Sequence, residues 1–227
     1  MLCKIADLYV EIPAAGGMAP RLRDYVTEEQ RTPDIVIDEA KYSAARWPSV
    51  PAGFVPYMDS GWFFYSHLYL HGGLMLHASA VELGGRAYLF SGPSGIGKST
   101  HTREWEAQFS ARIFNDDKPA LRQLDGVWYA YGTPWCGKSG ININLRAPVA
   151  GICFLRRGAR AAIRRLSPLE AAAAIISQTN NRFGTEKGLS RLTEPLESLI
   201  SAVPIYELTG NCPEEAARLS HEIMTKR

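Results

Sequence analysis

The sequence has few cysteines and little net charge, and each scarcity excludes a class of protein. Its four cysteines lie far apart and form no CxxC pair, so we expect free thiols in a reducing compartment rather than a disulfide framework or a zinc site. The 25 lysines and arginines exceed the 23 acidic residues by only two. A net charge of +2 gives no global field of the kind that a dedicated nucleic-acid-binding protein carries. Any recognition of anions must therefore be local.

Recognisable targeting and membrane-spanning segments are also lacking. The first seven residues, MLCKIAD, are too short and too charged to serve as a signal peptide. Residues 60–81 contain no Asp, Glu, Lys or Arg, but three histidines and the pair Gly72-Gly73 fall within this run. A bilayer would have to bury those polar groups. We expect a buried core segment in a cytoplasmic protein that has neither a membrane nor a nucleic acid as its partner.

The length of 227 residues suits one domain with a small accessory lobe. No internal repeat or low-complexity tract interrupts it. Residues 1–70 show weak periodicity, with short strands predicted at 5–12 and 34–37 and a buried helix at 60–69, and they carry no chemical motif. We predict that this segment is the accessory lobe. Residues 71–227 carry every motif found and are predicted to form the main domain.

Patterning in the main domain predicts an α/β fold with a mixed, largely antiparallel sheet and flanking helices. A strand over 74–81 and a strand over 86–90 flank the turn Gly84-Gly85, and a helix over 99–109 precedes a strand over 112–115. Asp125-Gly126 predicts a hairpin of strands 120–124 and 127–131. A second hairpin is predicted to pair 151–155 with 161–166. Ser167-Pro168-Leu169-Glu170 opens a helix through a capping box. A helix over 192–201, a strand over 203–208 and a helix over 213–224 follow.

The run GPSGIGKS at residues 92–99 fits the phosphate-binding loop pattern G-x-x-x-x-G-K-[ST] at every fixed position. Glycines let successive backbone N–H groups point inward at phosphate oxygens, and the following helix adds its positive end. The motif places Lys98 on the β- and γ-phosphates and the Ser99 hydroxyl on Mg²⁺. The alternative is a surface glycine loop that matches by accident, but a strand before it and a helix after it favour a nucleotide site. The predicted nucleotide-binding residues are Gly92, Ser94, Gly95, Ile96, Gly97, Lys98, Ser99 and Thr100.

Two adjacent carboxylates, Asp116 and Asp117, follow the short apolar strand after the loop helix. Neighbouring residues at a strand end point to opposite faces, so one can face Mg²⁺ while the other accepts a proton from an attacking hydroxyl. The alternative is a simple turn, for which Asn-Asp-Asp is common chemistry. His77, predicted in mid-strand among small and apolar residues, is in isolation more typical of a satisfied core histidine.

These pieces together resemble the HPr kinase/phosphorylase catalytic domain. The resemblance rests on LHASAV at 76–81, YLFSGPSGIGKST at 88–100 and NDD at 115–117. It implies a fold related to the nucleotide-binding part of phosphoenolpyruvate carboxykinases. It further implies use of ATP and Mg²⁺ to phosphorylate a serine-type hydroxyl. Carried over residue by residue, the metal-side residues are Ser99 and Asp116, the general base is Asp117, and His77 lies beside that base.

The segment GTPWCGKSG at 132–140 matches the corresponding family signature only loosely. Lys138 is our candidate to neutralise the transferring phosphate in place of the family's arginine. No long basic C-terminal helix is present to dock HPr. The acceptor is therefore left open among a peptide, a protein and a small molecule, and a homo-oligomer is also left open. The arginines between 156 and 165 favour a solvated strand face over an anion-collecting patch.

Two other functions compete with a kinase. A non-catalytic, nucleotide-responsive binding module would use the same loop without turnover. A carboxykinase-like enzyme ranks last, because the chain is short for the additional substrate lobe of such enzymes.

Overall fold

A computed structural model describes residues 1–15, 17–179 and 186–226. The N-terminal residues form a three-stranded sheet of β1 (Leu2–Ile5), β2 (Leu8–Glu11) and β3 (Ile35–Val36). The prediction of one strand over 5–12 was wrong, because Ala6 and Asp7 both adopt positive φ and turn the chain between β1 and β2. A short helix, α1 (Met18–Leu22), precedes β3, and α2 (Val55–Leu68) contains the predicted buried helix.

The remainder alternates strands and helices around one large sheet. Its strands are β4 (Gly73–Met75), β5 (Ala78–Leu83), β6 (Arg86–Ser91), β7 (Arg112–Asn115), β8 (Ala120–Leu124), β9 (Val127–Tyr131), β10 (Arg146–Arg157), β11 (Ala162–Arg165) and β12 (Ile205–Gly210). Its helices are α3 (Lys98–Phe109), α4 (Pro168–Gln178), α5 (Glu186–Ala202) and α6 (Pro213–Thr225). The capping box at Ser167 and Glu170 opens α4 as predicted.

This sheet is mixed and largely antiparallel, which confirms the predicted fold class. Strand β10 is long enough to pair with β9 near its start and with β6 and β12 further along. Only its pairings with β6 and β12 are parallel among the described strands of this sheet. The strand order β4-β8-β9-β10-β6-β5-β7 therefore puts the strand that enters the phosphate loop near the middle of the sheet.

The predicted hairpin between residues 151–155 and 161–166 was wrong. Strand β12 lies between β10 and β11, parallel to the first and antiparallel to the second. Two ion pairs from Glu207 on β12, to Arg156 on one side and to Arg164 on the other, bridge the three strands. A local turn pattern cannot reveal a strand that enters from 40 residues further along the chain.

The predicted strand over 74–81 is divided in two, and His77 is not in mid-strand. β4 ends at Met75 and β5 begins at Ala78. The two strands pair with different neighbours, β4 with β8 and β5 with β6 and β7. Backbone bonds from Leu76 to the Pro119 carbonyl and from Ala78 to the Asp117 carbonyl hold the break against the turn after β7. The break thus places His77 beside the aspartates.

Residues of the N-terminal segment share a core with the main sheet. Ile5, Val10 and Leu22 are buried in one cluster with Phe64 of α2 and with Trp135. The buried guanidinium of Arg122 on β8 donates to the Ala6 carbonyl, and Tyr131 donates to Asp7. The division at residue 70 stays a prediction. Within the described residues, no helix has the length and apolar character needed to cross a membrane.

Candidate functional site

The phosphate-loop motif lies where its chemistry requires, between β6 and α3. Gly95 and Gly97 have φ of 77° and 109°, which L side chains rarely adopt, and a Cβ on either would meet no atom within 4 Å. Pro93, Ser94, Ser99 and Thr100 are exposed. The loop is thus open to solvent, and α3 starts within the motif, at Lys98.

Lys98 folds back over the loop. Its ammonium donates to the carbonyls of Gly92 at 2.8 Å and Pro93 at 3.3 Å. Only 8% of the residue is exposed, and burial lowers the Lys98 pKa, while the negative charge of nearby Asp117 opposes that shift. The charge of the second aspartate therefore acts on the loop lysine.

A turn at the end of β7 orients both aspartates, and fully buried Asn115 organises it. The Asn115 side-chain oxygen accepts from the backbone N–H groups of Asp117 and Lys118, at 3.1 and 2.8 Å. Its amide group donates to the Thr133 carbonyl at 3.1 Å. The Asn-Asp-Asp run thus forms the turn that the alternative interpretation expected, and this turn orients both carboxylates.

Asp117 lies between two basic side chains. Its Oδ1 is 3.2 Å from Nε2 of His77, and its Oδ2 is 2.5 Å from Nζ of Lys118. Burial acts to raise the Asp117 pKa, but the hydrogen bond from His77 and the Lys118 charge outweigh it and lower the pKa to about 2. Ser91, which ends β6, donates to the His77 carbonyl at 2.9 Å. The loop strand and the histidine are thereby tied together.

Asp116 faces a different set of groups. Its Oδ1 accepts from the Gly137 backbone N–H at 2.6 Å, and its Oδ2 accepts from the Ser139 hydroxyl. Burial raises the Asp116 pKa, and the Gly137 bond opposes that shift. Each carboxylate oxygen retains a further lone pair. The two aspartates thus have separate partners, as expected for neighbours at a strand end.

Lys138 lies in the same segment as Gly137 and Ser139, and it is exposed. None of the hydrogen bonds or ion pairs found among the described residues brings its side chain to Lys98 or Asp117. Its role stays a prediction.

Sequence reasoning missed Lys118, Asn115 and Ser139, although the run NDDK offered one signal, a basic residue directly after the carboxylates.

A cavity of about 570 Å³ opens beside the phosphate loop. Its walls come from the loop and the start of α3, from the end of β10 and from the segment that joins β12 to α6. The apolar lining includes Ile96, Leu155, Leu208 and Pro213, and Arg156 and Arg157 stand at the same cavity. No group of three or more His, Cys, Asp or Glu residues suited to a metal ion occurs in the described part of the chain.

Comparison with known proteins gives a family model and a set of similar solved structures. The HPr(Ser) kinase/phosphatase from Coxiella burnetii is a similar solved structure, with 12% identity and a TM-score of 0.37, over 67% of this chain and 99% of that chain. No curated protein matches. The family model described as SynChlorMet cassette protein ScmC matches residues 56–209, which is more than half of the chain. The chain belongs to this ScmC family.

Proposed function

We propose that this protein is an ATP-dependent kinase that transfers the γ-phosphate to a serine-type hydroxyl of a peptide, protein or small-molecule acceptor. One observation carries the proposal. A carboxylate paired with a histidine, Asp117 with His77, lies beside the phosphate loop, because Ser91 at the end of the loop strand donates to the His77 carbonyl and the Asp117 charge acts on Lys98. A loop that only senses nucleotide needs no such carboxylate. The sequence motifs that resemble the HPr kinase catalytic domain support the same reaction class.

The residues present fit ATP and Mg²⁺. The space beside Gly95 and Gly97 is free, since a Cβ on either glycine would meet no atom within 4 Å. The Lys98 ammonium is bound to neutral carbonyls, and an anionic phosphate would replace them as its hydrogen-bond partner. The exposed Ser99 hydroxyl and the Asp116 carboxylate would hold the ion. Mg²⁺ takes few protein ligands and several from water and phosphate, so a full protein metal cage is not required. When bound, it neutralises charge on the phosphate oxygens.

The chain's own groups divide the remaining work. The acceptor hydroxyl would donate to Asp117, which fixes its orientation toward the phosphate loop. Because the Asp117 pKa is about 2, this carboxylate stays ionised and takes the proton only as the oxygen–phosphorus bond forms. His77 and Lys118 hold its two oxygens in place. The loop amides and Lys98 stabilise the negative charge of the phosphoryl group.

The cavity beside the loop is the proposed place of the nucleoside. Its apolar walls suit a flat heterocycle, and Arg156 and Arg157 lie where the sugar or a phosphate can contact them. Arg156 also pairs with Glu207, so this part of the arginine cluster is a solvated strand face as well. The preference for ATP over GTP comes from the family resemblance.

The test is transfer of labelled γ-phosphate to candidate peptides, to HPr-like proteins and to free serine. We expect Asp117→Asn to lower kcat by about 10²–10⁴-fold while ATP affinity is retained, and Lys98→Ala to weaken ATP binding itself. Asp125→Asn, in the exposed hairpin turn, is the matched control. Nucleotide binding with no acceptor labelled by the wild type would instead support the binding module. Unchanged turnover in Lys138→Ala would remove that lysine from the site.

A further inference from the structure

An aromatic cavity of about 190 Å³ is lined in part by Lys118, the residue that follows the two aspartates. It is built mainly by the N-terminal segment, to which the proposed function assigns no task. Five aromatic rings line it: Trp47, Tyr57, Trp62, Tyr65 and Trp135. An apolar cavity of about 150 Å³ can hold a benzene molecule. The size of this cavity therefore suits one aromatic ring.

The walls present ring carbons to the cavity, because four of the five rings use their polar atoms elsewhere. The pairs are Trp47 with Asp59, Tyr57 with Cys136, Tyr65 with Lys118 and Trp135 with Ser60, at 2.6 to 3.1 Å. The Asp59 carboxylate is fully buried and also binds the guanidinium of Arg46 and the Ser43 backbone N–H. This network fixes the wall that the N-terminal segment contributes, so the cavity is preformed.

Lys118 connects this cavity to the aspartates. It is the one charged side chain among the described lining residues, and its ammonium lies 5.6 Å from the Tyr57 ring centroid and 2.5 Å from Asp117 Oδ2. The backbone of Trp135 accepts from the Asn115 amide that organises the aspartate turn. A ligand ring in the cavity would thus have its attached polar group at Lys118 and Asp117.

The charges present decide against a cationic ligand. Aromatic cages commonly bind quaternary ammonium groups, but here the Lys118 ammonium is in the lining and the Arg46 guanidinium stacks 4.5 Å from the Trp62 ring centroid. These two cationic groups already lie over the Tyr57 and Trp62 rings, where a ligand cation would have to stack. A neutral aromatic ring gains from offset or edge contacts with these walls and does not compete for those positions.

We propose that the cavity binds an aromatic ring of the phosphate acceptor and thereby places the acceptor's neighbouring hydroxyl at Asp117. This proposal rests on the proposed kinase function. The hydroxyl oxygen forms a bond to the γ-phosphorus of ATP, and the bond from that phosphorus to its bridging oxygen breaks, its electron pair leaving with ADP. The hydroxyl proton passes to the Asp117 carboxylate. The acceptor is accordingly an aryl-bearing alcohol, such as a serine next to an aromatic side chain.

The test measures binding and transfer separately. The probes are N-acetyl-Phe-Ser-amide, N-acetyl-Ala-Ser-amide, N-acetyl-Phe-Ala-amide and choline. By calorimetry without nucleotide, we expect both Phe peptides to bind the wild type at least about tenfold more tightly than the Ala-Ser peptide. With ATP, phosphate transfer should favour Phe-Ser over Ala-Ser by a similar factor in kcat/KM.

Two variants locate the ring. Met58→Trp adds bulk to the half-buried wall of the cavity and should weaken binding of both Phe peptides by about tenfold while ATP affinity is retained. Leu70→Trp adds the same side chain at an exposed position outside the lining and should change neither. Retained ATP binding and a cooperative thermal transition show that Met58→Trp is folded. Trp62→Ala, which removes one wall, provides a second weakening variant.

Several outcomes would overturn the proposal. These are equal binding of the Phe and Ala peptides, ring binding unchanged in both cavity variants, and tighter binding of choline than of the Phe peptides. Ring binding that Met58→Trp weakens, with no phosphate transferred to these probes or to any acceptor in the labelling assay above, supports the cavity as a ring site and the nucleotide-binding module in place of the kinase. The two failures are therefore distinguishable.

Discussion

The helix that begins at the phosphate loop, α3, carries a buried histidine, and we expect this histidine to lower the stability of the fold in acid. His101 on α3 is 4% exposed, and its Nε2 lies 3.0 Å from the hydroxyl of Ser220 on α6. Burial lowers the His101 pKa from 6.5 to about 4. The neutral ring is therefore part of the packing between α3 and α6, and charging it in place is unfavourable.

The sign and size of the pH effect on stability follow from the linkage between folding and protonation of His101. Because the pKa is depressed in the folded protein, the unfolded chain takes up the proton first as the pH falls below about 6.5. Stability present at neutral pH is then lost progressively down to about pH 4. The full shift corresponds to about 3 kcal/mol, of which about 2 kcal/mol is lost by pH 5.

The variant His101→Gln isolates this contribution, since the amide can bond Ser220 but does not titrate. Urea unfolding at pH 7.5 and at pH 5.0 should show a loss of free energy of unfolding that is about 2 kcal/mol smaller in the variant than in the wild type. All other titrating groups are common to both proteins. His67→Gln, at an exposed position, is the control and should keep the wild-type difference. An equal loss in His101→Gln and wild type would refute the reasoning.

Three further predictions concern the site and its support. Gly137→Ala would put a Cβ 2.9 Å from an Asp116 carboxylate oxygen, so the Mg²⁺-dependent affinity for ATP, measured by calorimetry, should fall about tenfold. The control Gly53→Ala, which has open space around the new Cβ, should keep the wild-type affinity. Equal ATP affinities in Gly137→Ala and the wild type would argue against Asp116 as a metal ligand. Ser220→Ala should lower the free energy of unfolding in urea by about 1–3 kcal/mol, because the buried ring nitrogens of His101 and Trp105 both lose their hydrogen-bond partner. Since the Asp117 pKa is about 2, kcat/KM should show no acidic limb from this carboxylate between pH 5 and 8, and a limb that Asp117→Glu moves would contradict this.

Local signals predicted the elements whose causes are local. The glycine spacing and the strand and helix on either side identified the loop at 92–99, and Ser167 with Glu170 identified the start of α4. The hairpin at Asp125-Gly126 was predicted equally well, since a two-residue turn dictates its own register. Each of these depends on contacts within about ten residues.

Elements that depend on distant partners were not predictable in the same way. β12 lies between β10 and β11 because its apolar face completes the core on that side of the sheet. The residues near 158, where the turn was predicted, give no sequence signal of this insertion. The break at His77 comes from backbone bonds to the segment 117–119. The sequence therefore predicted that His77 lies beside Asp117 only through the family resemblance, and the structure gives the physical cause of that proximity.

The aromatic cavity shows the same limit for the site. Its walls lie at residues 47, 57–65 and 135, and the sequence shows them only as a cluster of aromatics in a predicted core helix. One wall depends on Gly61, which lies so close to the Trp135 ring that a Cβ there would stand 2.9 Å from it. That close approach of backbone to indole is a property of the fold and leaves no periodic signal.

The low net charge of the chain has a counterpart in the charges of the side chains at the proposed site. Lys98 and Lys118 both interact with Asp117, and with the neighbouring Asp116 these four side chains carry no net formal charge. A nucleoside triphosphate carries about four negative charges, which these four side chains and the two arginines of the adjacent cavity, Arg156 and Arg157, cannot balance. The loop's backbone dipoles and a divalent cation must supply the difference. The site should therefore bind ATP weakly without Mg²⁺, and the +2 charge of the whole chain is no obstacle to tight nucleotide binding in its presence.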